Sequence, residues 1–345
     1  MQNAAVTSAP GVVSLAQVEE PRPAFDEAVL RVEVVGICGT DLHIFDGSFP
    51  VNLPLTQGHE VSATIEQLPA AYRGAFTVGN RVAVMPVNSC GECYPCALGR
   101  RNTCVHMSGL GVHRPGALQE RVAVRISNMF LAEGLSPEAV ALCETVSVGL
   151  HGLTRAHVVS DDTVVVLGAG PVGLSVVLAA HDRGARVMVL DQERSRLDVA
   201  RRLGADALVS ELGELGERVG DWTKGKGATL VVEATGVPTI LQAAFDIVSM
   251  AGRVVILGIS EKEVSLNMRV FTAKELDVYG ARSTNDFASA VTLVRRHEDA
   301  VRSLISHRYG LAETGEAMAY ALDNPRSVVK SMIQVLPTAV TTLRN

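Results

Sequence analysis

Thr163-Val-Val-Val-Leu-Gly-Ala-Gly-Pro-Val-Gly173 is the stretch on which the fold turns. Thr163–Leu167 is an apolar, β-branched run of the kind that forms a buried strand. Gly168-Ala-Gly170-Pro-Val-Gly173 then fits G-x-G-x-x-G, and Pro171–Arg183 has the texture of a helix closed by Gly184. Glycines at these three places permit a tight turn and let the backbone approach a pyrophosphate seated on the helix N-terminus. Gly168, Gly170, Pro171, Val172 and Gly173 are therefore candidate cofactor-binding residues. Asp191 ends the next strand, Arg186–Leu190, 18 residues after Gly173. A carboxylate there binds the adenosine ribose hydroxyls and repels a 2′-phosphate, which favours NAD over NADP. Arg194 and Arg196 lie close behind; Arg196 joins the cofactor set, and the pair leaves some NADP tolerance open.

Outward from this loop the pattern repeats. Further strands are expected at Ala207–Ser210, Ala228–Glu233, Gly252–Leu257 and Leu276–Tyr279, with a helix over Ser195–Leu203. Six apolar strands alternating with helices predict an α/β doubly wound parallel sheet. Ser136-Pro137-Glu138 marks the helix that leads into it, with Ser as N-cap and Pro at the first helical position. Upstream, residues 28–37, 60–67, 81–86 and 118–124 are short, turn-separated and β-like, as in an irregular β-rich domain. Beyond about Gly280 come helical stretches at Asp286–Arg296 and Thr314–Leu322, then a strand-like Ser331–Val335 that suggests a return to the first domain.

Two groups of metal-binding residue types lie in the β-rich part. Cys90-x-x-Cys93-x-x-Cys96-x7-Cys104 offers four thiolates at the density of a closed tetrahedral zinc site. With no position open, such a site is structural and stabilises a lobe with little core of its own. Cys38-Gly-Thr-Asp-Leu-His43 follows a strand, and Gly58-His59-Glu60 lies 20 residues further on. Cys38 and His59 are donors that suit zinc, and Glu60 adds an oxygen.

Composition narrows the function classes. Of 345 residues, 47% are hydrophobic and 20% charged, which is globular rather than disordered. Net charge is −6 and pI about 5.9, without the basic field of a nucleic-acid binder. No apolar run approaches the ~20 residues of a membrane span, and residues 1–10 lack a signal-peptide pattern. The chain is expected to be cytoplasmic, and its six cysteines to be metal ligands rather than disulfides.

Taken in order, these motifs resemble the zinc-containing medium-chain dehydrogenases, with the polyol branch (sorbitol, arabinitol and sugar-acid dehydrogenases, with threonine dehydrogenase nearby) as the nearest flavour. The resemblance implies a GroES-like catalytic domain from residues 1–138 and 280–345, with a zinc lobe at about 88–106, and a Rossmann domain over 139–279. It implies two Zn²⁺ per chain and NAD. Carried over position by position, Cys38, His59, Glu60 and Glu144 match the catalytic zinc set. Thr40 and His43 match the hydroxyl and imidazole of a proton relay, and Asp41 a supporting carboxylate. Cys143 matches no ligand position. Ala63, Asn80 and Thr145 depart from the usual residues, and Thr145 sits beside the metal set. Arg282 is expected at substrate, at cofactor or in a surface ion pair, and Asp46 is either a substrate contact or a turn residue before Gly47.

The implied reaction passes hydride from a secondary alcohol to NAD⁺, giving a ketone. A threonine-type or simple alcohol dehydrogenase is the alternative, and a non-catalytic NAD-binding protein on the same scaffold is the alternative class. The expected partners are a small polyhydroxylated substrate and further copies of the chain, as a homodimer or homotetramer, with neither nucleic acid nor membrane.

Overall fold

The computed structural model describes residues 1–336; the end of the expected catalytic segment, 337–345, lies outside them. The described residues divide into two compact units, Met1–Glu144 with 305–336, and Thr145–Leu304. The division falls inside the helix Pro137–Arg155, whose start is held by Ser136 Oγ accepting from Ala139 N–H at 3.4 Å. The chain returns at Ile305 rather than near Gly280. The physical reason is that Phe287–Arg296 and Glu298–Arg302 continue the second unit: Arg296 and His297 both reach Asp182, at 2.8 Å each.

The second unit is a six-stranded parallel sheet in the spatial order Ala207–Val209, Arg186–Leu190, Thr163–Leu167, Ala228–Glu233, Val248–Ile256, Asp277–Gly280. The order reverses between Thr163–Leu167 and Ala228–Glu233, which is the switch point where such sheets bind ligands. The strands are buried on both faces, so they read as nearly continuous valine and leucine, Val164, Val165, Val166 and Leu167 all being fully buried. The unit is the Rossmann domain that the sequence predicts.

The first unit is GroES-like. Its main sheet runs Met129–Leu131, Arg81–Val84, Glu60–Gln67, Glu27–Gly36, Lys330–Gln334, Ile305–Gly310, and Arg121–Arg125 also pairs with Glu27–Gly36. A small sheet of Val12–Val18, Gln2–Ala9 and Leu55–Thr56 accompanies it. Three registers position the chemistry. Gly36 lies opposite Glu60 on one side and Met332 on the other, so the ends of three strands meet there. Val87–Asn88 pairs with Ser108–Gly109 and closes the loop that carries the four clustered cysteines. Among the described residues, no helix is long and apolar enough to cross a membrane.

Candidate functional site

Cys38 lies two residues past the end of the Glu27–Gly36 strand and is the N-cap of the helix Gly39–Asp46. Its backbone N–H donates to Asp41 Oδ2 at 2.9 Å, so Asp41 closes the helix start. The other oxygen, Oδ1, accepts from Gly58 N–H at 3.2 Å and lies 3.7 Å from His59 Nδ1. Asp41 is fully buried. Burial raises its carboxyl, and His59 and the N–H groups of Cys38 and Gly58 pull it only partly back. One acidic side chain thus fixes the turn that carries Cys38 and the loop that carries His59.

His59 is 8% exposed, and its Nδ1 has no hydrogen-bond partner. Burial lowers its pKa, but Asp41, Cys38 and Glu144 outweigh that and hold the imidazole well above its ordinary value. Glu144, in the helix Pro137–Arg155, is buried and pushed up to about 7, by burial first, with His59 pulling down and Glu60 pushing up. A half-buried soft thiol in electrostatic contact with a buried imidazole and buried carboxylates suits a zinc ion. An orphaned imidazole nitrogen in that group is a further sign that the residues present fit the metal.

Glu60 is placed differently. Lys330 Nζ donates to both of its oxygens, at 2.6 and 2.8 Å, and to Ile37 C=O at 3.1 Å. Lys330 is 2% exposed and Glu60 1%. Burial disfavours the Lys330 ammonium, but Glu60, then Cys38 and Glu144, raise its pKa above the ordinary value. Gly36 is glycine for this reason: a Cβ there would stand 2.0 Å from Glu60 Oε2. Sequence reasoning missed Lys330. The available signal was a lone lysine at the head of the apolar run Ser331–Val335, since a lysine buried in a strand needs an anionic partner.

Thr40 and His43 stand at i and i+3 on one helix face. Thr40 Oγ1 is 3.9 Å from Cys38 Sγ. His43 is exposed, and its Nδ1 lies 3.1 Å from Ser48 Oγ, a hydroxyl that the sequence did not single out. Asp46 accepts from Ser48 N–H at 2.8 Å, which makes it a turn residue. Cys143 is buried and turned back on Ala139 C=O, away from any ligand role. Asn80 Oδ1 accepts from Thr77 N–H at 2.8 Å, so the turn closes with Asn in that place. Arg282 is exposed just past the Asp277–Gly280 strand.

The cysteine quartet is assembled. Among the described residues it is the group of three or more His, Cys, Asp or Glu whose ligand atoms all lie within 4.8 Å of one another. Backbone N–H groups of Cys96 and Val105 lower the Cys93 thiol to about 6, while burial pushes Cys96 up to about 11. One site therefore offers a thiolate at neutral pH and thiols that a cation would deprotonate.

In the second unit, Gly168 has φ +99° and donates its N–H to Leu190 C=O at 2.8 Å. A Cβ on Gly173 would stand 1.9 Å from Gly168 C=O, which is the close helix–strand contact a third glycine allows. A Cβ on Gly170, the helix N-cap, would meet nothing within 4 Å. That open cradle at a helix N-terminus fits a dinucleotide pyrophosphate. Pro171 and Val172 are half-buried at the helix start. Asp191 accepts from Ala169 N–H at 2.7 Å and from Glu193 N–H at 2.8 Å, so it braces the loop. Arg196 is half-buried on the helix Arg194–Arg202.

Comparison with known proteins agrees with both units. Residues 24–133 match the model of the alcohol dehydrogenase GroES-like domain, and residues 171–296 that of the zinc-binding dehydrogenases. The chain is 34% identical over 317 residues to the 2-dehydro-3-deoxy-L-galactonate 5-dehydrogenase of Pseudoalteromonas atlantica, covering 90% of this chain and 92% of that one. It is 32% identical over 321 residues to the L-galactonate-5-dehydrogenase of Escherichia coli K12, covering 92% and 94%. An alcohol dehydrogenase of Escherichia coli CFT073, solved in complex with NADH, superposes with a TM-score of 0.89 at 28% identity, covering 97% of this chain and 99% of that one.

Proposed function

This chain belongs to the zinc-containing medium-chain dehydrogenases, the alcohol and polyol dehydrogenase family, and on that premise we propose that it oxidises a secondary hydroxyl of a polyol, sugar or sugar acid to a ketone. It is an oxidoreductase that uses zinc and NAD. The observation that carries the reading is the half-buried thiol of Cys38 grouped with the buried side chains of Asp41, His59 and Glu144, His59 Nδ1 making no hydrogen bond. The relatives named for galactonate chemistry support a sugar-acid or polyol substrate.

In this reading Cys38, His59 and Glu144 hold the catalytic metal, and Glu60 stands by on Lys330. Cys90, Cys93, Cys96 and Cys104 hold the structural one. Bound zinc supplies a Lewis acid that eases ionisation of the substrate hydroxyl, and bound NAD⁺ supplies the hydride acceptor. The chain's part is to hold and move the proton. Thr40 Oγ1, beside Cys38, would take it while passing its own hydroxyl proton on toward His43, whose exposed imidazole, oriented by Ser48, would give a proton up to water. Gly168–Gly173, Asp191 and Arg196 seat the dinucleotide, and the Asp191 carboxylate disfavours a 2′-phosphate. Six free cysteines fit a reducing compartment, which supports a cytoplasmic location. We further propose a homodimer or homotetramer.

The test is NADH formation by the purified protein over polyols, sugar acids, threonine and simple alcohols, with NAD⁺ and NADP⁺ compared. The expected outcome is turnover of one polyol or sugar acid with NAD⁺. Cys38→Ser should abolish that turnover, lower zinc from two ions per chain to one, and leave the fold intact. Activity that survives complete loss of that zinc would overturn the reading.

A further inference from the structure

A carboxylate that the proposed reaction does not use lies buried at the switch point of the parallel sheet. Glu233 ends the strand Ala228–Glu233 and is 1% exposed. Its backbone C=O accepts from Leu257 N–H at 2.8 Å and Gly258 N–H at 3.1 Å, which ties it to the neighbouring strand. Its side-chain Oε1 accepts three donors: Thr235 N–H at 2.5 Å, Gly236 N–H at 2.9 Å, and the Thr235 hydroxyl. Thr235 Oγ1 in turn accepts from Val237 N–H at 3.0 Å, at the start of the helix Pro238–Ile247. Residues 234–237 are therefore a turn wound around one anionic oxygen.

Glycines fit closely against this turn. A Cβ on Gly258 would stand 2.1 Å from Gly236 N and 2.4 Å from Glu233 Oε2. A Cβ on Gly168 would stand 2.5 Å from Thr235 Cγ2. The Thr235 methyl thus occupies the space beside the first glycine of the dinucleotide loop, and Ala234 N–H donates to Leu167 C=O, the last residue before that loop, at 2.9 Å. The wall behind Gly168 is the Thr235 side chain, and Glu233 fixes that side chain by both its hydroxyl and its N–H. A charge-assisted acceptor is stronger than a neutral one, and its removal leaves two backbone donors and a hydroxyl without a partner.

We propose that Glu233, acting through Thr235, is a positioning residue for the dinucleotide: it sets the wall against which Gly168–Gly173 holds the shape that receives the pyrophosphate. This rests on the reading of Gly168–Gly173 as the dinucleotide loop. Glu233 touches no reacting atom, so its loss acts on cofactor affinity and leaves the chemical step nearly intact.

The experiment measures the NADH dissociation constant by fluorescence titration, together with the KM for NAD⁺, kcat at saturating NAD⁺ and the cofactor-free melting temperature. The proteins are the wild type, Glu233→Ala, Glu233→Gln and Thr235→Val. Glu233→Ala should weaken NADH about tenfold and raise the KM for NAD⁺ in parallel, with kcat within about twofold. Glu233→Gln keeps an acceptor at Oε1 and should recover most of the loss. Thr235→Val keeps the methyl but not the hydroxyl and should weaken NADH about threefold. A lower melting temperature with unchanged NADH affinity would mean that Glu233 only stabilises the fold, and would overturn the proposal. If Glu233→Ala does not fold, unchanged NADH affinity in Thr235→Val overturns it equally. A wild type that binds no NADH would sink the dinucleotide reading itself, whereas a wild type that binds beside unaffected variants sinks only the role of Glu233.

Discussion

At the scale of single residues, the first unit gathers an unusual density of buried charge. Lys330 sets its ammonium on Glu60, and its three donors end on the two carboxylate oxygens and Ile37 C=O. Removing one partner of such a pair leaves the other charged and dry, so Lys330→Met should cost about 3–5 kcal/mol in chemical denaturation. A loss under about 1 kcal/mol would mean that Glu60 does not depend on the lysine. Glu144 gives a pH-dependent counterpart. Burial lifts its carboxyl from 4.5 to about 7, so between those values the folded chain keeps a proton that the unfolded chain releases. Stability from this group is therefore lost as pH rises through that window. In metal-free protein, Glu144→Gln should gain on the wild type as pH goes from about 5 to about 8; melting curves that shift in parallel would contradict it. Cys38, His59 and Glu60 were singled out in the sequence because they carry donor chemistry within short motifs, and Glu144 was singled out through the family resemblance. Lys330 was not, because its role exists only once the strand Lys330–Gln334 lies beside Glu27–Gly36, nearly the whole chain away.

At the scale of elements, the glycine loop separates cofactor binding from stability. Gly173 packs its helix onto the preceding turn, where a Cβ would collide with Gly168 C=O at 1.9 Å. Gly170 has φ −68°, which any residue adopts, and open space where its Cβ would project. Gly173→Ala should therefore lower the melting temperature and NADH affinity together. Gly170→Ala should leave melting unchanged and still weaken NADH at least about tenfold, by intruding where the pyrophosphate lies. Differential scanning and fluorescence titration on the two proteins check this, and a Gly170→Ala protein that binds NADH normally would empty the cradle argument. The strands of this unit were legible because burial on both faces leaves apolar runs bounded by turns. The Val248–Ile256 strand begins earlier than Gly252 because Val248 pairs with Ala228 across an irregular register, which no local pattern encodes. Gln2–Ala9 and Val12–Val18 were missed for another reason. Val12–Val18 (Val-Val-Ser-Leu-Ala-Gln-Val) is largely exposed, so no buried face imposes the period-two alternation that marks a strand.

At the scale of the whole molecule, the two-unit plan was legible and the point of return was not. The apolar periods of Phe287–Arg296 do not say which core they serve; the ion pairs of Asp182 with Arg296 and His297 decide it, and these join residues distant in sequence. What the monomer leaves open is the outer edge of the parallel sheet. Asp277–Gly280 pairs with Val248–Ile256 on one side and, among the described residues, with no strand on the other. Val278 is 38% exposed on it, and Met250 and Met268 are exposed at 71% and 83%. Monomeric proteins blunt such edges with charge, proline or bulges; here Asp277 supplies one charge and Val278 remains apolar. An unpaired apolar edge is a template for a second copy of itself. Light scattering on the wild type should therefore give a dimer or a multiple of one. Val278→Lys adds the charge that monomers use, and should shift the population toward monomer while NADH affinity stays within about twofold, because Gly168–Gly173 lies three strands away in the sheet. A wild type that is monomeric at all working concentrations, or a Val278→Lys protein that assembles as before, would assign this edge no part in assembly.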